Sequence, residues 1–127
     1  MKRYRLGLHA LAFAGALLAS AAALAGYRSA VPVTIFDPLS FANGDLGYVA
    51  NTTDTTQSIG CETLRDTGYC AATDQTGLSR SCSTSDPNLL AVIRSLKGDS
   101  YLNFWWDTTG HCTSIEVDNG SYNAPKK

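Results

Sequence analysis

The apolar positions of this chain fall into three regimes. They run almost without a break from Leu6 to Leu24, thin out and alternate from Val31 to Leu64, and take up a helical spacing after Asp86 before returning to alternation. The most regular stretch is the last. Leu89, Val92, Ile93 and Leu96 fall at i, i+3, i+4 and i+7, the spacing of one helix face. Asp86 offers an N-cap, Pro87 suits the first helical position and Gly98 can stop the helix after Lys97, which predicts a helix over residues 87–97. Leu102, Phe104 and Trp106 then alternate with Tyr101, Asn103 and Trp105, predicting a strand over Ser100–Trp106. A helix stripe and a strand face of this kind can cover each other and start a core.

Upstream, Val31, Val33 and Ile35 alternate with Pro32 and Thr34, which predicts a first strand at an edge, where proline is tolerated. Asp37-Pro38 ends it, and Ser40–Asp45 has the composition of a turn. Leu46–Ala50 reads as a second short strand, Asn51–Thr56 as a polar loop or exposed strand, and Gln57–Leu64 as a third strand with Ile59 and Cys61 on one side. Tyr69–Thr73, Leu78–Thr84 and Cys112–Val117 complete the set. Three four-residue stretches ending in Thr-Gly separate these runs: Arg65–Gly68, Asp74–Gly77 and Asp107–Gly110. A turn-forming start with glycine in the left-handed place describes a three-residue hairpin loop. A calcium loop is the rival reading, but no stretch has EF-hand ligand spacing. The fold class is therefore α+β: an antiparallel β-sheet of about six strands with one helix packed on it. The last hairpin has two open registers. One sets Cys112 opposite Trp106; a one-residue shift brings Ile115 and Val117 onto the Leu102/Phe104 side.

Composition and charge bear on where such a domain lives. Lys2, Arg3 and Arg5, the apolar run and Ala23-Leu24-Ala25 form a secretory signal over residues 1–25, alanine-rich in the bacterial manner. Tyr4 breaks the twin-arginine pair, and Tyr27 stands where a lipoprotein needs cysteine. Residues 26–127 are then a single domain, secreted or periplasmic, with a loose start at Tyr27–Ala30 and a flexible tail at Asn123–Lys127. Three of the ten basic residues precede the cut, leaving seven against eleven acidic residues, a net charge of −4. That balance argues against nucleic acid or anionic lipid as a partner, and no stable membrane insertion is expected once the signal is cut. Cys61, Cys70, Cys82 and Cys112 all lie after the cut, and an even count in a small exported domain predicts two disulfides. The competing metal site lacks a CxxC-type pair, and the three possible pairings stay open.

Gln57–Cys61, Ser81–Thr84, Asp99–Leu102, Phe104 with Trp106-Asp107, and Cys112-Thr113 resemble a group of small exported bacterial proteins of unknown function. The likeness covers about Leu46 to Lys127. It implies export and a disulfide-tied, β-rich domain; it carries no activity and no site residues.

Candidate chemistry is sparse. His111 is the one histidine after the signal, and Asp107, four residues back, is its nearest candidate partner. No GxSxG, HExxH, SxxK or phosphate-binding loop is present, and no cofactor is implied. Glu62 and Glu116 would meet as paired acids only by tertiary accident. Trp105 and Trp106, adjacent on a strand, must point to opposite faces. Trp106 shares its side with Leu102 and Phe104, so Tyr101, Asn103 and Trp105 form the candidate binding face. Two readings follow. One is a non-enzymatic exported binding domain for cell-envelope glycan or protein; the other is a small secreted hydrolase or hydrolase inhibitor. A hydrolase requires His111 in a cleft with a carboxylate and a nucleophile, whereas a binder requires an aromatic patch.

Overall fold

Alternation is realised as seven strands in two antiparallel sheets, where the sequence predicts one sheet of about six. The computed structural model describes residues 29–123, so the expected signal over residues 1–25 lies outside the described residues. The order is β1 (Thr34–Phe36), a 3-10 turn (Asp37–Leu39), β2 (Phe41–Asp45), α1 (Leu46–Asn51), β3 (Ser58–Leu64), β4 (Thr67–Thr73), β5 (Ser79–Thr84), α2 (Pro87–Arg94), β6 (Tyr101–Trp106) and β7 (Cys112–Asp118). One sheet runs β1-β2-β6-β7 and the other β3-β4-β5. Ala42, Leu102, Phe104 and Ile115 of the first meet Cys70, Ala72 and Cys82 of the second, with Ile93 of α2, in one apolar core.

Two elements differ from the reading of the sequence. Phe41–Asp45, expected as a turn, is β2, an inner strand between β1 and β6. Its turn-like residues serve close packing. Ala42 is fully buried, and a Cβ at Gly44 would stand 3.3 Å from Val33 Cα. Leu46–Ala50, expected as a strand, lies within the short helix α1. Asp45 stands at the N-cap position without capping, because its Oδ2 accepts from Ser29 Oγ at 2.9 Å and Val31 N at 2.8 Å. Those bonds hold Ser29 and Val31 at the end of the expected loose start, whose Tyr27 and Arg28 lie outside the described residues. Ser29 N donates to Tyr122 O at 2.6 Å, and Asn123 is buried with its Nδ2 donating to Asp118 O at 2.7 Å. Asn123 thus belongs to the fold rather than to a free tail, and residues 124–127 lie outside the described residues.

The main helix starts as predicted: Asp86 Oδ1 accepts from Asn88 N at 2.7 Å, with Pro87 next. It ends at Arg94, earlier than expected. The buried Ser100 accounts for this, since its Oγ accepts from Lys97 N at 2.8 Å and its N donates to Lys97 O at 3.1 Å. That turn leads the chain directly into β6. Leu90 and Ile93 are the deepest helix residues, while Leu89, Val92 and Leu96 are partly buried. The apolar face is centred one step round from the predicted stripe because Leu90 packs over Gly68. Gly68 is not a turn glycine. The β3–β4 hairpin closes with Leu64 opposite Thr67, Arg65 takes a φ of 57°, and Gly68 is buried within β4. Gly77 and Gly110 do hold the expected left-handed places, with φ of 88° and 83°.

The β6–β7 hairpin satisfies both candidate registers. Trp106 faces Cys112, a bulge follows at Thr113, and from there Phe104 faces Ile115 and Leu102 faces Val117. One extra residue in β7 therefore keeps cysteine and aliphatics alike on the core side. Two disulfides form, Cys61–Cys70 between β3 and β4, and Cys82–Cys112 between the two sheets, leaving no free cysteine. Paired cysteines of this kind fit an oxidising environment outside the cytoplasm. Among the described residues no helix is long and apolar enough to cross a membrane.

Candidate functional site: the outer face of the four-stranded sheet

Strand register sorts the residues on the side of the four-stranded sheet away from Leu102 and Phe104 into rows, of which Asp45 is fully buried beneath Ser29 and Val31. Phe36, Phe41, Trp105 and Ser114 are successive partners across β1, β2, β6 and β7; Thr34, Asn43, Asn103 and Glu116 form the next row; Asp45, Tyr101 and Asp118 form the third. Residues opposite one another in antiparallel strands share a face, so Tyr101, Asn103 and Trp105 lie together as the alternation predicts. Trp105 is half-buried rather than a free platform, because Phe41 packs beside it with ring centroids 6.2 Å apart. Phe36 continues the row 5.8 Å from Phe41 and is 43% exposed. On the opposite face Phe104 holds Trp106 at 5.8 Å, with Trp106 packed against the core.

The polar groups beside these rings have definite roles. Asn103 Oδ1 is buried and meets no protein donor. Burial, and then the negative charges of Asp45 and Glu116, raise the Tyr101 phenol above its ordinary range, so its hydroxyl remains a hydrogen-bond donor at neutral pH. The face combines a strip of three rings, a row containing two amides, and a phenol in an acidic field. Such a surface can stack on the apolar side of a ligand while exchanging hydrogen bonds with its edge.

His111 occupies a different environment. Its Nδ1 lies 2.6 Å from Thr109 Oγ1 and 3.7 Å from Asp107 Oδ2, on an exposed turn. Asp107 Oδ1 accepts from Thr109 N, Thr109 Oγ1 and His111 N, at 2.8, 2.7 and 2.9 Å. The Thr109 hydroxyl chiefly, with the backbone donors, lowers the Asp107 pKa. Asp74 does the same for its own loop, accepting from Thr76 N, Thr76 Oγ1 and Leu78 N. That second loop contains no histidine, so the arrangement is explained as turn chemistry. Glu62 and Glu116 lie exposed on different sheets. Among the described residues no group of three or more His, Cys, Asp or Glu side chains could hold a metal ion.

Phe36, Phe41 and Asn43 were absent from the sequence-based site. Phe41-Ala42-Asn43 does alternate, but Gly44 and Asp45 mask it with turn composition, and only the pairing of β2 with β6 brings these residues to Trp105. No protein-family model, curated protein or solved structure matches the chain. The two disulfides and the β-rich domain are features of the molecule itself, independent of any family.

Proposed function

We propose that the protein is an exported, non-enzymatic binding domain whose outer sheet face recognises a cell-envelope glycan. Export is inferred from the charged start, the apolar run and the Ala23-Leu24-Ala25 pattern, in keeping with the two disulfides. The observation that carries the binding reading is the continuous row Phe36–Phe41–Trp105, alongside Asn43 and Asn103. Aromatic faces stack on the C–H side of a pyranose, and amides meet its hydroxyls. The secreted hydrolase or inhibitor reading has less support, because His111 and Asp107 are used in an exposed turn. Retention of the protein on purified envelope glycan tests the proposal. Trp105→Ala and Asn103→Ala should each abolish retention, whereas Arg94→Ala on α2 should leave it unchanged. Undiminished retention of both face variants would overturn the reading, and retention on envelope proteins alone would replace the glycan with a protein partner.

A further inference from the structure

The four cysteines stand in one row. Cys61 is directly opposite Cys70 across β3 and β4, and Cys70 is directly opposite Cys82 across β4 and β5. Beyond Cys82, the other edge of β5 meets the turn of the last hairpin just before β7, where Ser83 N donates to Gly110 O at 3.0 Å and Ser83 bridges His111. Cys112 follows immediately and is bonded to Cys82. The order across the row is therefore 61, 70, 82, 112, with bonds between the first two and the last two. The middle pair, Cys70 and Cys82, is unbonded although it occupies directly opposed antiparallel positions. Such positions place Cα atoms about 4.5–5.5 Å apart, within reach of a disulfide.

We propose that the two disulfides constitute a single thiol–disulfide exchange array, which takes two electrons from an external small dithiol at Cys61–Cys70 and passes the opening on to Cys82–Cys112. Cys61 is the least buried member, only partly covered by the core, whereas Cys70, Cys82 and Cys112 are 0%, 2% and 7% exposed. The dithiol's thiolate attacks Cys61 Sγ, forms a mixed disulfide and expels Cys70 as a thiolate. The reagent's second thiol then attacks its own sulfur in that mixed disulfide, leaving Cys61 as a thiol and the reagent as a cyclic disulfide. The Cys70 thiolate attacks Cys82 Sγ. A Cys70–Cys82 bond forms, the Cys82–Cys112 bond breaks, and Cys112 leaves as a thiolate that takes up a proton. Cys70 and Cys112 flank Cys82 on opposite sides of β5, so attack and departure run along the row. The net change is two electrons and two protons gained from the dithiol, one disulfide kept within the three-stranded sheet, and the covalent tie between the sheets released.

Treatment of the native protein with a limiting amount of dithiothreitol, trapping with N-ethylmaleimide and peptide mass mapping test this. The expected product is alkylated at Cys61 and Cys112 and carries a Cys70–Cys82 bond. In the Cys61→Ala/Cys70→Ala variant, labelling of Cys112 under the same conditions should fall severalfold, since the remaining disulfide is buried and has no internal attacker. Alkylation confined to Cys61 and Cys70 would overturn the proposal. So would alkylation of Cys82 and Cys112 together, equal Cys112 labelling in the variant, or no labelling before the native fold is lost. The mapping of the native protein decides the matter even if the variant does not fold.

Discussion

Gly68 shows how a single absent side chain sets the position of an element. A Cβ there would stand 2.6 Å from Ile93 Cδ1 and 2.9 Å from Leu90 Cδ2, the two deepest residues of α2. We predict that Gly68→Ala destabilises by about 1–3 kcal/mol, the range for overpacking a filled site. At Gly60, also within a strand, an added Cβ meets nothing within 4 Å. Gly60→Ala should be neutral or stabilising, by up to about 1 kcal/mol. Denaturant midpoints compare the two, and a Gly68 variant as stable as the Gly60 variant would mean that α2 does not rest on β4. In the sequence, Gly68 is indistinguishable from Gly77 and Gly110, since all three follow threonine. Only the last two have the positive φ that the motif suggests. The difference lies in what sits above the strand, and composition carries no trace of it.

At the level of elements, legibility followed the length of the pattern. The helix α2, with an N-cap, a proline and several apolar positions, was readable to within a turn. Leu46–Asn51 was not, because six residues give too few repeats to separate a helical from an alternating period. The hairpins β3–β4, β4–β5 and β6–β7 were visible because each partner is local. The pairing of β2 with β6 was invisible, joining residues about sixty positions apart, such as Phe41 and Trp105. That pairing also hid two of the three rings of the aromatic strip, Phe36 and Phe41, so the sequence yielded Tyr101, Asn103 and Trp105 but not their neighbours. For α2 we expect Ile93→Ala to cost roughly 2–5 kcal/mol, the range for truncating a buried aliphatic side chain. Arg94 is exposed, its Nη2 donating to Arg65 O at 3.3 Å, and Arg94→Ala should cost under about 0.5 kcal/mol. Equal midpoints for the two variants would contradict the observed helix face.

At the scale of the whole molecule the two disulfides are unequal. Cys82–Cys112 closes 30 residues and Cys61–Cys70 closes 9. Loop-closure entropy assigns them about 3.6 and about 2.6 kcal/mol respectively. The Cys82→Ala/Cys112→Ala protein should therefore unfold at lower denaturant than the Cys61→Ala/Cys70→Ala protein. The reverse order would show that the local pair is the more important constraint. The strand order β1-β2-β6-β7 has a kinetic meaning as well. The first and last hairpins of the described chain are neighbours in one sheet, and the three-stranded sheet is an excursion between them. A chain that emerges N-terminus first therefore holds β2 without its inner partner until β6 arrives, while β3, β4 and β5 can pair at once. Pulsed amide exchange during refolding should find Cys70 and Ala72 protected before Ala42 and Phe104; simultaneous protection would mean the sheets form as one unit. The half-made N-terminal hairpin, with Phe36 and Phe41 lacking their partner strand, is the species most exposed to misassembly while the chain folds.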